Sequence, residues 1–164
     1  MAPTLEPERV SAIDDALELE WYAGDTIVAY VLYSMSPQIL QKWSAVALDV
    51  LHDWPVGKPY LALYDLSARG VVINYLDLVK TKMFSLGITE AGEKKVLASV
   101  ASRENLHARV ALYASLTQSG FMGRLFAQVD AQRIRFDKFV EYNVFYQREA
   151  ALNWLAKTDP TAAV

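Results

Sequence analysis

Apolar and polar residues alternate along positions 16–23, and this two-residue period predicts a β-strand with one solvent-exposed face. Positions 26–34 are rich in β-branched and aromatic residues, which favours a second strand. The pair Gly24-Asp25 lies between these segments and is typical of a primed turn, so we expect a β-hairpin here. Residues 1–14 are rich in proline and acidic residues and are expected to form a flexible N-terminal arm.

A different pattern occupies positions 60–66, where apolar and aromatic residues follow one another without polar alternation. Pro59 precedes this run, and proline is tolerated at the start of a strand but not in its middle. A continuous apolar run of this length predicts a strand covered on both faces, as the strands of parallel sheets are. We therefore expect residues 60–66 to lie in the interior of a sheet.

A helical period governs positions 39–54, where apolar residues recur at intervals of three and four and predict an amphipathic helix against the sheet. Ser36 suits the N-cap and Pro37 the first helical position, while Pro55 and Gly57 end the helix. Shorter patterns predict helices over residues 72–86, 89–103 and 122–129, strands over residues 109–114 and 140–146, and a terminal helix that starts at residue 147.

The alternation of strands with helices predicts an α/β fold, because β-α-β units place their strands in parallel. We expect a single mixed, mostly parallel sheet of about five strands with helices on both faces. The first strand of the N-terminal β-hairpin should lie antiparallel at one edge of this sheet. Residues 15–164 are expected to form one α/β domain, a usual size for a single hydrophobic core.

Composition limits the chemistry that this chain can perform. Its 164 residues include no cysteine, which excludes disulfides and thiolate metal sites. The two histidines, His52 and His107, have no metal-ligand spacing, so we expect neither a metal site nor a cofactor. The net charge of −3 and the pI near 5.4 argue against nucleic-acid binding.

The chain also lacks the sequence features of membrane insertion and export. No charge-free apolar run approaches the roughly 18 residues that a membrane span needs. The first residues lack the basic and then apolar order of a signal peptide. We therefore expect a cytoplasmic location.

Three segments carry a resemblance to a known family: residues 64–67, which read Tyr-Asp-Leu-Ser, residues 109–112 in the following strand, and residues 145–155, where Arg-Glu precedes Ala-Ala-Leu-Asn-Trp-Leu. With the predicted order of elements, residues 16–157 resemble the STAS-like proteins. These are small bacterial α/β domains similar to the sporulation anti-sigma-factor antagonist. The resemblance implies a bacterial, non-enzymatic protein that acts through protein–protein contacts, and we expect it to form a homodimer or another homo-oligomer.

One feature of that family is missing from this sequence. In the antagonists, a partner kinase phosphorylates a serine at the start of the helix that follows the middle strand. A phosphate is favoured there by the helix N–H groups and dipole. This chain has no serine or threonine between Ser67 and Thr81. We therefore expect a regulatory module without a phospho-serine switch.

Two groups of polar residues follow predicted strands, where ligands bind in open α/β sheets. The candidate ligand-binding residues are Asp65, Ser67 and Arg69 in one group, and Ser115, Thr117, Ser119 and Gly120 in the other. Backbone N–H groups of the second loop could hold an anion. Plainer interpretations stay open, since Asp65 or Ser67 can bond loop N–H groups and Ser119 can serve as an N-cap.

No catalytic residue is assigned, because no base accompanies these hydroxyl groups and no Gly-x-Ser-x-Gly motif occurs. The first hypothesis for function is a protein–protein interaction or regulatory module. The alternative is a module that binds a small anion or an apolar ligand in the crevice at the ends of the central strands. A further set of apolar residues either fills the core or lines such a surface: Phe84, Phe121, Met122, Phe126, Phe136, Phe139 and Tyr142.

Overall fold

Six strands form one mixed sheet in the computed structural model, which describes residues 6–69, 71, 107–116 and 140–157. The strands are β1 (Arg9–Asp14), β2 (Leu17–Tyr22), β3 (Ile27–Leu32), β4 (Tyr60–Asp65), β5 (Ala108–Tyr113) and β6 (Val140–Phe145). The described helices are α1 (Pro37–Asp53) and α2 (Arg148–Ala156).

The strands lie in the sheet in the order in which they occur along the chain. β1, β2 and β3 pair antiparallel, whereas β3, β4, β5 and β6 pair parallel. The predicted α/β class and mixed sheet are confirmed. The sheet has six strands, however, where the sequence predicted about five.

The additional strand is β1, which falls within the segment expected to be a flexible arm. Its pairing with β2 makes β1 the antiparallel edge strand, so the prediction that the first hairpin strand lies at the edge is wrong. No residue of β1 is fully buried, which explains why hydrophobic periodicity gave no signal for it. The strand is held instead by backbone pairing and by polar contacts, such as the bonds from the Gly24 N–H to the Glu8 carboxylate at 3.0 and 3.2 Å.

The predicted β-hairpin of β2 and β3 is present, but its turn is longer than a two-residue primed turn. Tyr22 pairs with Ile27, so four residues form the connection. Within it the backbone is left-handed at Ala23 (φ 53°), Gly24 (φ 64°) and Asp25 (φ 59°). Glycine adopts this conformation freely, whereas an alanine there is sterically strained.

The prediction for α1 is confirmed at both ends. Ser36 caps the helix by accepting a hydrogen bond from the Ile39 N–H at 3.3 Å, and Pro37 is the first helical residue. The helix ends at Asp53, and Gly57 then turns the chain with φ 79°. Its apolar face, which includes Trp43, is buried against the sheet as the spacing predicted.

The prediction for the interior strand is also confirmed, since β4 lies between β3 and β5. Its successive side chains enter two different cores. Tyr60, Ala62 and Tyr64 pack on the side of α1, and Leu61 with Leu63 packs on the side of α2. Both faces of this strand are therefore covered.

The core on the α1 side is rich in aromatic rings. Trp43 meets Tyr64 edge to face with ring centroids 4.9 Å apart, and Trp21 stacks on Trp54 at 6.1 Å. Two buried hydroxyl groups, those of Tyr30 and Tyr60, bond each other at 2.9 Å. This pairing satisfies polar groups that would otherwise be costly to bury.

The core on the α2 side is smaller, and the helix contributes only Ala151, Leu152 and Leu155 as buried residues. Each fully buried leucine contributes roughly 1.5–3 kcal/mol. The described residues thus include one helix on each face of the sheet. The predicted helices over residues 72–86, 89–103 and 122–129 lie outside the described residues, so a full helical layer on both faces stays a prediction.

The set of apolar residues from Phe84 to Phe139, named above as possible pocket or core residues, also lies outside the described residues. Among the residues that the structure does describe, no helix is long and apolar enough to cross a membrane.

Candidate functional site

The carboxyl ends of β3, β4, β5 and β6 lie at one edge of the sheet, because these four strands are parallel. We call this region the carboxyl edge and define it as Tyr33, residues 66–69, residues 114–116 and residues 146–147. In open α/β sheets, ligands bind at this end of the strands. It includes Ser67, Arg69 and Ser115 from the two groups of candidate residues, and Asp65 directly precedes it as the last residue of β4.

Asp65 does not face an open crevice. Its side chain is buried, with 3% of the residue exposed. Oδ1 accepts bonds from the Ser67 N–H at 3.1 Å and from the Ser67 hydroxyl at 2.6 Å. Oδ2 accepts a bond from Arg148 at 2.9 Å. The plainer of the two interpretations therefore describes Asp65, which uses both oxygens to fix the loop and α2.

Arg148 is the central residue of this polar cluster, and sequence reasoning did not select it as a site residue. It is the first residue of α2. Its Nη1 atom donates to Asp65 on β4, and its Nη2 atom donates to Glu20 and to the Tyr22 hydroxyl on β2, the latter at 2.9 Å. Because β3 lies between β2 and β4, the guanidinium reaches across one whole strand.

One residue of β3 between these partners is small. Ala29 is the register partner of Glu20 on one side and of Leu63 on the other, and it belongs to the α2-side core. An alanine leaves more room above the sheet than a larger residue would. Arg148 bonds carboxylates that lie on either side of β3.

The cluster is internally satisfied. Tyr22 donates through its hydroxyl to Glu20 at 2.6 Å and accepts a bond from Arg148. Burial and the bond to Glu20 raise the pKa of Tyr22 above its ordinary value. For Arg148, burial alone lowers the pKa, but the nearby Glu20, Tyr22 and Asp65 outweigh it, so the net direction is upward. The guanidinium stays charged and holds both carboxylates.

Arg69 and Ser115 differ from Asp65 in their exposure. Arg69 is exposed and Ser115 is half-buried. The bond from the Leu66 N–H to the Tyr113 carbonyl, 2.8 Å long, sets the loops after β4 and β5 side by side. The structure therefore places Ser67, Arg69 and Ser115 on adjacent loops. Thr117, Ser119 and Gly120 lie outside the described residues.

Large apolar side chains are exposed at the same edge. Tyr33 follows β3, Leu116 follows β5 and Tyr146 follows β6, and all three are exposed, Leu116 by 72%. The Tyr33 hydroxyl donates a hydrogen bond to Glu18 at 3.0 Å. Partial desolvation of the phenol and this bond raise the pKa of Tyr33. The sequence analysis did not select these three residues, because singly exposed apolar residues are common and only their shared position is informative.

The described histidines lie far from this edge. His107 precedes β5, and its carbonyl accepts a bond from the Tyr60 N–H at the amino end of β4. His52 is in the last turn of α1, from which the chain leads to the same end of β4. Within residues 6–69, 71, 107–116 and 140–157, no three His, Cys, Asp or Glu side chains are arranged to hold a metal ion.

Comparison of the chain with models of protein families, with curated proteins and with solved structures gives no match.

Proposed function

We propose that this protein is a non-enzymatic protein–protein interaction module, STAS-like in type, that binds a partner protein through the carboxyl edge. The single observation that carries the proposal is that Tyr33, Leu116 and Tyr146, which follow three strands at this edge, are each exposed. Exposed apolar groups gathered on one surface are typical of interaction sites. Aromatic residues are also enriched where proteins meet.

The three side chains are close enough to enter one interface. Neighbouring strands lie about 4.8 Å apart, so the ends of β3 and β6 are separated by roughly 15 Å. An interface of standard size covers about 800 Å² of each protein, and a surface of this area is wide enough to include the ends of both strands. Arg69 on the loop after β4 lies between them and adds a charge that an acidic group of the partner can meet.

The polar groups at the same edge support a role without catalysis. Asp65 and the Ser67 hydroxyl bond each other, and Arg148 occupies the remaining carboxylate oxygen. Both oxygens of Asp65 therefore hold the loop and α2 in place. The resemblance to STAS-like proteins adds that the partner is a regulatory protein of the bacterial cytoplasm, and that binding proceeds without a phosphorylated serine after β4.

Site-specific photo-crosslinking in the cells that produce the protein tests this proposal. A photoreactive amino acid is placed at position 116 or 146, and at position 56 as the control. Val56 is 91% exposed but lies before β4, at the amino end of the sheet. We expect one and the same partner protein to be captured from positions 116 and 146 and not from position 56. Identical capture from all three positions would contradict the proposal.

A binding measurement with the captured partner makes the test quantitative. Leu116→Asp should weaken binding about tenfold, which is about 1.4 kcal/mol, since it puts an unpaired charge in place of an apolar contact. Val56→Asp should leave the affinity unchanged. Equal affinities for the wild-type protein and Leu116→Asp would remove the carboxyl edge as the contact surface.

A small-molecule binding module is the second candidate, and the adjacency of Ser67, Arg69 and Ser115 favours it. The exposed guanidinium of Arg69 suits an anion, and it lies on the loop next to that of Ser115, whereas the Ser67 hydroxyl already donates to Asp65. A thermal-shift screen over nucleotides, organic acids and fatty acids tests this idea, because a ligand at one hundred times its dissociation constant adds about 2.7 kcal/mol of stability. The shift should disappear in Arg69→Gln and persist in Lys58→Gln, which removes a cation at the other end of β4. A screen without any shift would end this candidate.

A further inference from the structure

β1 presents an unpaired edge of the sheet. It is the terminal strand in the sheet order and pairs with β2 on one side only. Among the residues that the structure describes, no strand pairs with its other side. Its outward N–H and C=O groups therefore form a template for another strand.

The side chains of β1 are as exposed as its backbone. Val10 is 53% and Ile13 is 39% exposed. Both charged residues of the strand already have partners within the chain, because Arg9 pairs with Asp25 at 3.2 Å and Asp14 pairs with Lys42. The strand thus combines exposed apolar surface with charges that do not repel an approaching strand.

The opposite edge of the sheet is different. The backbone carbonyl of Phe145 accepts a bond from the Ala114 N–H. The backbone N–H and C=O of Phe145 therefore point towards β5, and those of its neighbour Val144 point outwards. The outward N–H of Val144 is bonded by the side-chain oxygen of Asn143 at 2.9 Å. β6 therefore satisfies one of its outward donors within the chain, whereas no such bond is found along β1.

We propose that β1 is a self-association surface, at which the β1 strands of two copies of this chain pair antiparallel about a two-fold axis near Ser11 and Ala12. The antiparallel arrangement sets the Arg9 end of one strand, paired with Asp25, against the Asp14 end of the other, paired with Lys42, so like charges do not oppose each other. It also places the exposed Val10 and Ile13 of both copies along the shared edge. A parallel arrangement would bring like charges together. The two six-stranded sheets become one continuous sheet.

We expect the dimer to be weak because its contact is small. Six residues at about 3.4 Å each give a contact roughly 20 Å long. A single pair of strands of this length buries less surface than the 1,200 Å² or more that stable complexes bury. The register irregularity between Ala12 and Asp14 shortens the regular pairing further. We therefore expect reversible, concentration-dependent dimers. This surface is separate from the carboxyl edge, so the inference does not depend on the proposed function.

Disulfide trapping of the full chain tests the geometry directly, because the protein contains no cysteine of its own. Ser11→Cys places one thiol near the proposed axis and should give disulfide-linked dimers under mild oxidation. Val56→Cys, equally a single surface thiol, should give none. Equal cross-linking of the two variants would overturn the proposal, as would an absence of cross-linked Ser11→Cys dimer at the highest soluble concentration.

Analytical ultracentrifugation over a concentration series measures the association itself. Val10→Lys adds a charge that blocks edge pairing and should raise the dimer dissociation constant at least tenfold, while Val56→Lys leaves it unchanged. Circular dichroism verifies that each variant is folded. Three results overturn the proposal: a monomer at all concentrations, a dimer that Leu116→Asp but not Val10→Lys dissociates, or cross-linking of position 11 to a different protein in place of a second copy. None of these three results bears on the proposed function, which is tested separately by the crosslinks from positions 116 and 146 and by the affinity of Leu116→Asp.

Discussion

Arg148 donates to the carboxylate of Asp65 at 2.9 Å, although 83 positions separate the two residues in the chain. The same guanidinium also bonds Glu20 and Tyr22. One side chain at the start of α2 therefore joins this helix to two strands that are not neighbours in the sheet. The short apolar face of α2 makes this polar connection important for how the helix is held.

Removal of the guanidinium should destabilise the fold strongly. Arg148→Met keeps most of the side-chain volume but leaves the buried Asp65 and the half-buried Glu20 without their cation, and breaking a buried ion pair in this way costs about 3 kcal/mol. Urea denaturation followed by tryptophan fluorescence measures the change in the free energy of unfolding.

Two further variants make that test specific. Arg69→Met removes an exposed arginine and should change the free energy of unfolding by less than about 0.5 kcal/mol. Addition of Glu20→Gln to Arg148→Met should recover part of the loss, because one stranded carboxylate is neutralised. An Arg148→Met protein as stable as the wild type would show that the cluster does not hold α2.

The other end of α2 depends on Arg109. Its guanidinium lies 4.5 Å from the centroid of the Trp154 ring and donates to the carbonyl of Lys157, the C-cap residue, at 2.7 Å. Arg109→Ala should lower the free energy of unfolding by about 1–2 kcal/mol through loss of the cation–π contact and of a positive charge near the helix C-terminus.

Hydrogen exchange measures this effect at the helix, where the amides of the last turn of α2 should exchange faster in Arg109→Ala. The matched control is Arg9→Ala, since Arg9 lies over the ring of Trp21 at a similar 4.6 Å but on the exposed strand β1. Unchanged exchange at α2 in Arg109→Ala would mean that the helix end is held by packing alone.

The left-handed backbone of Ala23 predicts an unusual stabilising substitution. Ala23→Gly removes the steric strain of φ 53°, which costs an L-residue roughly 1–2 kcal/mol, while glycine adds some entropy to the unfolded chain. The net gain should be about 0.5–1 kcal/mol. Ala45→Gly, the same change on the exposed face of α1, should instead cost about 1 kcal/mol. Thermal unfolding of both variants reveals whether their signs differ.

Alkaline titration should separate the buried tyrosines from the others. Burial raises the pKa of Tyr22 and Tyr30 above the ordinary value of 10, so neither contributes phenolate absorbance at 295 nm near pH 10. A raised pKa means that the folded state favours the neutral phenol. The contribution of Tyr22 and Tyr30 to the free energy of unfolding is therefore complete below pH 10, where these phenols are neutral in both the folded and the unfolded state. It is lost as the pH rises through the folded-state pKa.

The control for this titration is the protein in concentrated urea, where all nine tyrosines should ionise together. Tyr22→Phe and Tyr30→Phe should leave the folded-state absorbance change near pH 10 unaltered and reduce only the later change. A smaller amplitude near pH 10 in either variant would contradict the predicted shift.

Local patterns of the sequence were enough to predict the elements whose stability comes from burial. The uninterrupted apolar run of β4 and the three-and-four spacing of α1 correspond to packing that the structure contains. β1 was not predicted because its order comes from backbone pairing and ion pairs, such as Arg9 with Asp25, which leave no periodic pattern.

The polar cluster could not be predicted for a related reason. Asp65 and Ser67 were identified as candidates by their position at a strand end, and that position is correct. Their partner Arg148 is far away in the sequence, and only the three-dimensional arrangement of β2, β4 and α2 brings it to them. A sequence pattern indicates where a polar residue lies along an element but not which distant residue satisfies it.

The long separation between Asp65 and Arg148 also has a consequence during synthesis of the protein. Glu20 and Asp65 leave the ribosome well before Arg148, since chains emerge from the N-terminus at about 5–20 residues per second. Until then the nascent sheet contains carboxylates whose counter-ion has not been translated, and water must solvate them. Docking of α2 through Arg148 can therefore take place only after β2 and β4, the strands that it joins, have been synthesised.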